Sequence, residues 1–149
     1  MQKVRTPVRI LIAEDDPDDR VLISEAFEET LGQNKLHFVG DGQELLEYLY
    51  NKGKYADPRL APRPDLILLD LNMPRMDGRE ALERIKRDPL LRRIPVVVLT
   101  TSGSEDDIEW SYRLGVGGYV CKPLSLEELA QAMMVLSQYW FEIVELPTM

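Results

Sequence analysis

The sequence of 149 residues contains one cysteine and one histidine, and its 18 basic residues are outnumbered by 26 acidic ones. The single cysteine, Cys121, cannot form an internal disulfide, which suits a reducing compartment. The formal charge of −8 argues against a nucleic-acid partner, because proteins that bind phosphate backbones present basic surfaces. No apolar run approaches the ~20 residues of a membrane span, and no signal-peptide pattern opens the chain. We therefore expect a cytoplasmic protein that binds neither nucleic acid nor membranes.

The composition is typical of a single folded domain. Apolar residues make up 44% of the chain and charged residues 30%, as in ordinary globular proteins. The length suits one hydrophobic core. We expect one domain over residues 1–149, with a core from about residue 8 to about residue 140 and an aromatic C-terminal arm from about residue 139 to residue 149.

Short apolar runs alternate with segments that have the pattern of helices. The runs have the nearly all-apolar pattern of strands buried on both faces, and they cover residues 8–13, 35–39, 65–69, 95–99 and 118–121. Capping boxes at Ser104 and Ser125 begin the last two predicted helices, with Asp107 in the usual glutamate position of the first box. Five strands that alternate with five helices predict a doubly wound parallel sheet with helices on both faces.

Acidic residues, a hydroxyl and a lysine follow the predicted strands where each strand ends. Glu14 and Asp15 follow the first strand, and Asp70 follows the third. Thr100 ends the fourth strand, and Lys122 follows the fifth. Because such sheets bind ligands beyond the carboxyl ends of their strands, we expect these five side chains to share one pocket.

The three carboxylates of this pocket would repel one another. Two unit charges ~4 Å apart cost ~4 kcal/mol at an effective dielectric of ~20, so a marginally stable domain needs a cation there. Carboxylate oxygens, waters and a backbone carbonyl are the ligands that Mg²⁺ prefers, and Mn²⁺ can substitute. A carboxylate beside Mg²⁺ and a lysine can attack phosphorus, because both cations neutralise the transferring group. The pocket therefore predicts acceptance of a phosphoryl group.

Four motifs resemble those of the receiver domains of two-component response regulators. They are Ala13-Glu14-Asp15, Leu69-Asp70-Leu71-Asn72-Met73-Pro74-Arg75-Met76-Asp77-Gly78, Val98-Leu99-Thr100-Thr101 and Gly118-Tyr119-Val120-Cys121-Lys122-Pro123. The resemblance runs from about residue 8 to about residue 140. It implies a flavodoxin-like fold with strand order 2-1-3-4-5. It also implies a protein that is no enzyme beyond catalysing its own phosphorylation and dephosphorylation.

The resemblance assigns a role to each acidic residue of the pocket. Asp70 would accept the phosphoryl group. Glu14, Asp15 and Asp70 would hold the magnesium ion together with the backbone carbonyl of Asn72.

The resemblance further implies which residues sense the phosphoryl group. Thr100 and Lys122 would contact it, and Tyr119 would be an aromatic switch that turns inward when Thr100 moves. The peptide bond before Pro123 would be cis, although only ~5–6% of such bonds are cis in folded proteins.

A narrower resemblance is to the single-domain regulators of bacterial phytochromes. It rests on the long loop with Pro58, Pro62 and Pro64, on residues 94–102 and on the aromatic tail. It implies that a sensor histidine kinase, in particular a bacteriophytochrome, donates the phosphoryl group. A downstream phosphotransfer protein is a further candidate partner.

The aromatic tail supplies a candidate surface for self-association. If the last helix continues to about residue 144, its end overhangs the sheet. The exposed aromatic and apolar residues would then form a symmetric homodimer together with the fifth strand, and the candidates are Tyr139, Trp140, Phe141 and Ile143. The alternative is that the tail folds back onto its own domain.

Three other functions are weaker interpretations of the same residues. Phosphatases of the haloacid dehalogenase type need an acidic residue two positions after the nucleophile, and Asn72 stands there instead. An interaction module without phosphorylation would not need the intact acidic pocket. A phosphohistidine carrier needs an exposed histidine, whereas His37 lies in an apolar strand.

Overall fold

Five parallel strands and five α-helices alternate along the chain in a computed structural model that describes residues 8–31, 35–140 and 144–147. The strands are β1 (Arg9–Ala13), β2 (Lys35–Val39), β3 (Leu66–Leu69), β4 (Val96–Thr100) and β5 (Gly118–Cys121). The helices are α1 (Pro17–Leu31), α2 (Gly42–Leu49), α3 (Gly78–Arg87), α4 (Glu105–Leu114) and α5 (Leu126–Gln138). The strands lie in the order β2-β1-β3-β4-β5, which confirms the predicted fold.

Successive side chains of the central strands enter two separate hydrophobic cores. In β3, Ile67 and Leu69 pack towards α2 and α3, whereas Leu66 and Leu68 pack towards α1 and α5. All four residues of this strand are buried. The nearly all-apolar pattern of the strand follows from burial on both faces. Among the described residues, no helix has the length and apolar character needed to cross a membrane.

The predicted capping box at Ser104 forms only in part. The Ser104 hydroxyl accepts a hydrogen bond of 3.3 Å from the backbone N–H of Asp107, as expected of an N-cap. The Asp107 carboxylate, however, binds Arg79 and Ser102 instead of the backbone N–H of Ser104. That N–H donates to the Ser102 hydroxyl at 3.4 Å. A paired guanidinium is a stronger partner for a carboxylate than a neutral amide, which explains the difference.

The long loop between α2 and β3 is held in place by a buried tyrosine. The Tyr55 hydroxyl donates a 2.6 Å hydrogen bond to Glu44 and lies 3.2 Å from Nε2 of His37. Asn51 donates from its side chain to the carbonyls of Tyr55 and Ala61. His37 therefore belongs to a packed cluster, and burial lowers the pKa of its imidazole.

Two described residues of the C-terminal segment, Trp140 and Leu146, lie on their own domain, which favours the alternative of a tail that folds back. Helix α5 ends at Gln138, and Tyr139 and Trp140 follow it in π-helical conformation. The N–H of Val144 donates to the carbonyl of Tyr139, five residues earlier, at 2.9 Å, as in a π-helical turn. Trp140 and Leu146 pack against the core between the sheet, α1 and α5. Burial of these apolar side chains on the chain's own core is favourable, which stabilises this packing. Two of the residues predicted for a dimer contact, Phe141 and Ile143, lie outside the described residues.

Candidate functional site

Three carboxylates meet at the carboxyl ends of β1 and β3, as the sequence predicts. One oxygen from each of Glu14, Asp15 and Asp70 lies within 4.8 Å of the other two. Glu14 and Asp70 are buried, and Asp15 is exposed. Close carboxylate oxygens, one of them open to solvent, are a donor set that suits Mg²⁺ or Mn²⁺. We call this cluster the acidic triad.

The loop after β3 holds Asp70 in a fixed orientation. The backbone N–H of Asn72 donates to Oδ1 of Asp70 at 3.0 Å, and the N–H of Asp70 donates to the carbonyl of Ala13 at 3.0 Å. Helix α3 begins directly over this loop at Gly78. A Cβ at Gly78 would lie 2.2 Å from the carbonyl oxygen of Asp70, so only glycine permits this approach.

Lys122 brings a positive charge into contact with the acidic triad. Its ammonium group donates to Glu14, to Asp19 at 2.9 Å and to Asp70 at 3.1 Å. The side chain is only 6% exposed. Burial lowers the pKa of Lys122, but the hydrogen bonds to Glu14 and Asp19 outweigh burial and raise the pKa above its ordinary value. Burial raises the pKa of the Glu14 carboxyl, and the contact with Lys122 partly offsets this effect.

Asp19 is a member of the pocket that the sequence interpretation missed. Its side chain is 16% exposed and accepts a hydrogen bond from Lys122. Helix α1 begins at Pro17, four residues after the last residue of β1, so its first turn passes over the strand ends. An acidic residue in the first turn of any helix interacts favourably with the helix dipole. Because this explains Asp19 sufficiently, its contact with Lys122 was not predicted.

Thr100, at the end of β4, is connected to the loop after β3 through Asn72. Thr100 is fully buried, and its hydroxyl accepts a hydrogen bond of 3.3 Å from the Asn72 side-chain amide. Tyr119 lies on β5 and is partly buried. Its hydroxyl donates to the carbonyl of Ser102 at 2.9 Å, which links β5 to the loop that follows Thr100.

The peptide bond between Lys122 and Pro123 is trans, so the expected cis bond is wrong. All peptide bonds among the described residues are trans. The trans form of a bond before proline is intrinsically favoured by ~0.5–1 kcal/mol. With this bond trans, the N–H of Lys122 still donates to the carbonyl of Thr100 at 2.7 Å, and its ammonium group reaches the acidic triad.

Comparison with known proteins agrees with this geometry. The family model described as response regulator receiver domain matches residues 10–134. Response regulator Rcp1 of Synechocystis sp. is 43% identical over 141 residues, which is 95% of this chain and 94% of that protein.

Two solved structures are similar over nearly the whole chain. The phosphorylated cyanobacterial phytochrome response regulator RcpA has a TM-score of 0.90 and 45% identity, and the match covers 96% of this chain and 100% of that one. The Mn²⁺-bound form of response regulator Rcp1 has a TM-score of 0.90 and 42% identity, covering 95% and 100% of the two chains.

Proposed function

The chain belongs to the response regulator receiver domain family, whose members are signalling domains and not conventional enzymes, and we propose that it accepts a phosphoryl group on Asp70. The proposal rests on two contacts of the Asp70 carboxylate: Lys122 donates to it, and the carboxylates of Glu14 and Asp15 lie close to it. One oxygen of that carboxylate is oriented by the N–H of Asn72 and the other by the ammonium of Lys122. A carboxylate fixed on both oxygens is preorganised for attack.

In the transfer step, an oxygen of the Asp70 carboxylate forms a bond to phosphorus, and the bond from phosphorus to the donor breaks. Glu14, Asp15, Asp70 and the backbone carbonyl of Asn72 would hold the divalent cation, and the spacing of the acidic triad suits it. Such a cation supplies charge that offsets the phosphoryl oxygens. The Lys122 ammonium supplies a second positive charge at the same carboxylate.

The response to phosphorylation begins at Thr100 and Tyr119. A phosphoryl group on Asp70 offers acceptor oxygens to the Thr100 hydroxyl, which is fully buried at the adjacent strand end. Movement of Thr100 would shift the backbone carbonyl of Ser102, which accepts the hydrogen bond of Tyr119. The Tyr119 ring would then leave this partner and turn inward.

The partner proteins follow from the likeness to phytochrome response regulators. A sensor histidine kinase of the phytochrome type is the donor in this proposal, and the cytoplasm is where the two proteins meet. The output is a change in protein binding, either to a downstream phosphotransfer protein or to a second copy of the chain. The 149 residues act together as one receiver domain.

The solvent-facing side of α5 is the surface that we propose for a homodimer. Val135 is 60% exposed and Tyr139 is 50% exposed, and these residues lie four positions apart on the same side of the helix. Leu124, just before α5, is fully exposed. Trp140 packs on the chain's own core, so we do not expect it to form the dimer contact.

Two alternative functions receive less support. A phosphatase of the aspartate-nucleophile type needs a proton donor where Asn72 stands, and the Asn72 amide is engaged with Thr100 and Arg79. A module that acts without phosphorylation would not need Lys122 buried among three carboxylates, since such an arrangement is costly to maintain.

Phosphotransfer from a phytochrome histidine kinase tests the proposed function. The kinase is labelled with radioactive ATP, freed of nucleotide and mixed with the wild-type chain, Asp70→Asn or Asp88→Asn, an acid far from the pocket. We expect label on the wild type and on Asp88→Asn only, and only in the presence of Mg²⁺. Label on Asp70→Asn, or none on the wild type, would contradict the proposal.

A further inference from the structure

A bidentate ion pair joins the first turns of α3 and α4 beside the candidate site. Arg79 donates from Nε to Oδ1 of Asp107 at 2.9 Å and from Nη2 to Oδ2 at 2.6 Å. The side chains are 32% and 18% exposed. Asp77 also accepts from Nη1 of Arg79, at 3.1 Å and 3.3 Å. Parallel hydrogen bonds between a guanidinium and a carboxylate fix both orientation and distance, so the pair is a rigid connection between the two helices.

Each partner of this ion pair also binds a side chain next to the pocket. Nη1 of Arg79 donates to Oδ1 of Asn72 at 3.2 Å. The Ser102 hydroxyl donates to Oδ2 of Asp107 at 2.6 Å. The hydrogen bonds from Arg79 and Ser102 lower the pKa of Asp107 to about 2, so its carboxylate is charged at neutral pH.

The contact with Arg79 determines which way the Asn72 amide points. Because Oδ1 accepts from Arg79, the amide nitrogen faces the other way and donates to the hydroxyls of Thr100 and Thr101 at 3.3 Å and 3.4 Å. The backbone N–H of Asn72 holds Asp70 at the same time. The Asn72 side chain is therefore held in place between the carboxyl ends of β3 and β4.

Ser102 is fastened to the same region from the other side. Its backbone N–H donates to the Thr100 hydroxyl at 3.4 Å, while its own hydroxyl is held by Asp107. The two side chains that border Thr100 thus depend on opposite partners of one ion pair. Loss of Arg79 would release Asn72 directly and Ser102 through Asp107. Loss of Asp107 would release Ser102 directly and Asn72 through Arg79.

We propose that the Arg79–Asp107 pair is a positioning element that keeps the side chains of Asn72 and Ser102 beside the phosphoacceptor and thereby prolongs the phosphorylated state of Asp70. This proposal rests on the proposed function. In hydrolysis, the oxygen of a water molecule forms a bond to phosphorus, and the bond from phosphorus to the Asp70 carboxylate breaks. The carboxylate keeps the electron pair, and the protons of the water go to the phosphate and to solvent. Fastened side chains limit the approach of that water.

The lifetime of the phosphorylated chain tests this inference. The wild type, Arg79→Gln and Asp107→Asn are phosphorylated with acetyl phosphate and Mg²⁺, freed of donor, and followed by intact mass. We expect both variants to lose the phosphoryl group faster, by about threefold or more, because each loses hydrogen bonds to a charged group. Arg84→Gln is the matched control, since Arg84 lies on α3 and pairs with Glu80 away from the pocket. Unchanged or longer lifetimes in both pocket variants would overturn the proposal.

A second set of variants tests whether Arg79 affects the lifetime through the side chains of Asn72 and Ser102. In an Asn72→Ala/Ser102→Ala background, Arg79→Gln should have no further effect on the lifetime, because there is nothing left to position. An equal shortening in that background would mean that Arg79 acts elsewhere, and the proposal would fail. Arg79→Lys keeps the charge but loses the bidentate geometry, so its lifetime should lie between wild type and Arg79→Gln.

A spectroscopic readout separates positioning from general loss of structure. The side-chain amide signals of Asn72 should shift in Arg79→Gln and stay in place in Arg84→Gln, with thermal unfolding measured on the same samples. Unshifted Asn72 signals in Arg79→Gln would also overturn the proposal. If the wild type accepts no phosphoryl group on Asp70, the proposed function fails. If it does and the variants keep its lifetime, only this inference fails.

Discussion

Lys122 donates a 3.1 Å hydrogen bond to Asp70, although the two residues are 52 positions apart in the chain. They follow β5 and β3, and β4 lies between those strands in the sheet. The contact therefore depends on the parallel arrangement of all three strands. It places one buried ammonium group among three carboxylates, those of Glu14, Asp19 and Asp70.

Removal of the lysine charge should destabilise the metal-free protein. Lys122→Gln leaves buried carboxylates without their cation, which typically costs about 3–5 kcal/mol of unfolding free energy. Urea unfolding in the presence of a chelator measures this loss, and Mg²⁺ should restore part of it by binding the folded state. Lys35→Gln, at the exposed amino end of β2, is the control and should unfold like the wild type. If Lys122→Gln and the wild type were equally stable, Lys122 would not offset the charge of these carboxylates.

Removal of one ligand of the acidic triad should weaken metal binding. Asp15→Asn takes away a charged oxygen ligand, so we expect Mg²⁺ or Mn²⁺ to bind about tenfold more weakly or worse. Titration calorimetry measures the affinity. Asp18→Asn is the matched control, because Asp18 is also an exposed acid of the same segment but lies outside the acidic triad. If both variants bound metal equally well, the ligand assignment would be wrong.

The Glu44 carboxylate should make stability depend on pH in the acidic range. Burial alone would raise its pKa, but hydrogen bonds from Lys54, Tyr55 and the N–H of Gly40 lower the pKa to about 2. A folded-state pKa below the unfolded value of ~4.3 means that this stabilisation is complete above that pH and is lost as the pH falls towards 2. Glu44→Gln lacks this contribution.

Urea unfolding of both proteins between about pH 5 and about pH 2 checks this prediction. The wild type should lose about 1 kcal/mol more than Glu44→Gln over that range, after allowance for solvent screening. Parallel curves for the two proteins would show that Glu44 does not carry the effect.

A charge on the outer side of α5 should prevent self-association. Val135→Lys places an ammonium group in the proposed apolar contact, where its desolvation is unfavourable. Val21→Lys is the matched control, because Val21 is a similarly exposed valine on α1. Sedimentation should give a dimer for the wild type and Val21→Lys and a monomer for Val135→Lys. A dimer in all three samples would move the interface to another surface.

Most of the pocket could be predicted from the sequence because, apart from Asp19, its residues lie at the ends of apolar strands. Parallel strands end at the same edge of a sheet, so Glu14, Asp15, Asp70 and Lys122 had to converge once the alternating pattern was clear. The strand pattern itself arises from burial on both faces of the sheet.

Contacts between helices could not be predicted in the same way. Arg79 and Asp107 are 28 residues apart, and each has a sufficient local explanation: Arg79 as an ordinary charge in a helix and Asp107 as part of a capping box. The ion pair prevails over the capping box only because the fold brings the two helix starts together. Helical spacing, in contrast, placed Trp140 with the apolar residues of the last helix that pack on the sheet, and its side chain is partly buried against this core.

Intact mass after incubation with acetyl phosphate tests the central claim most directly. The wild type, Asp70→Asn and Asp88→Asn are each incubated with Mg²⁺ or with a chelator. We expect a gain of one phosphoryl group by the wild type and by Asp88→Asn, only with Mg²⁺, and no gain by Asp70→Asn. A phosphoryl group on Asp70→Asn, or a wild type that gains none with Mg²⁺ present, would contradict the assignment of Asp70 as the phosphoacceptor.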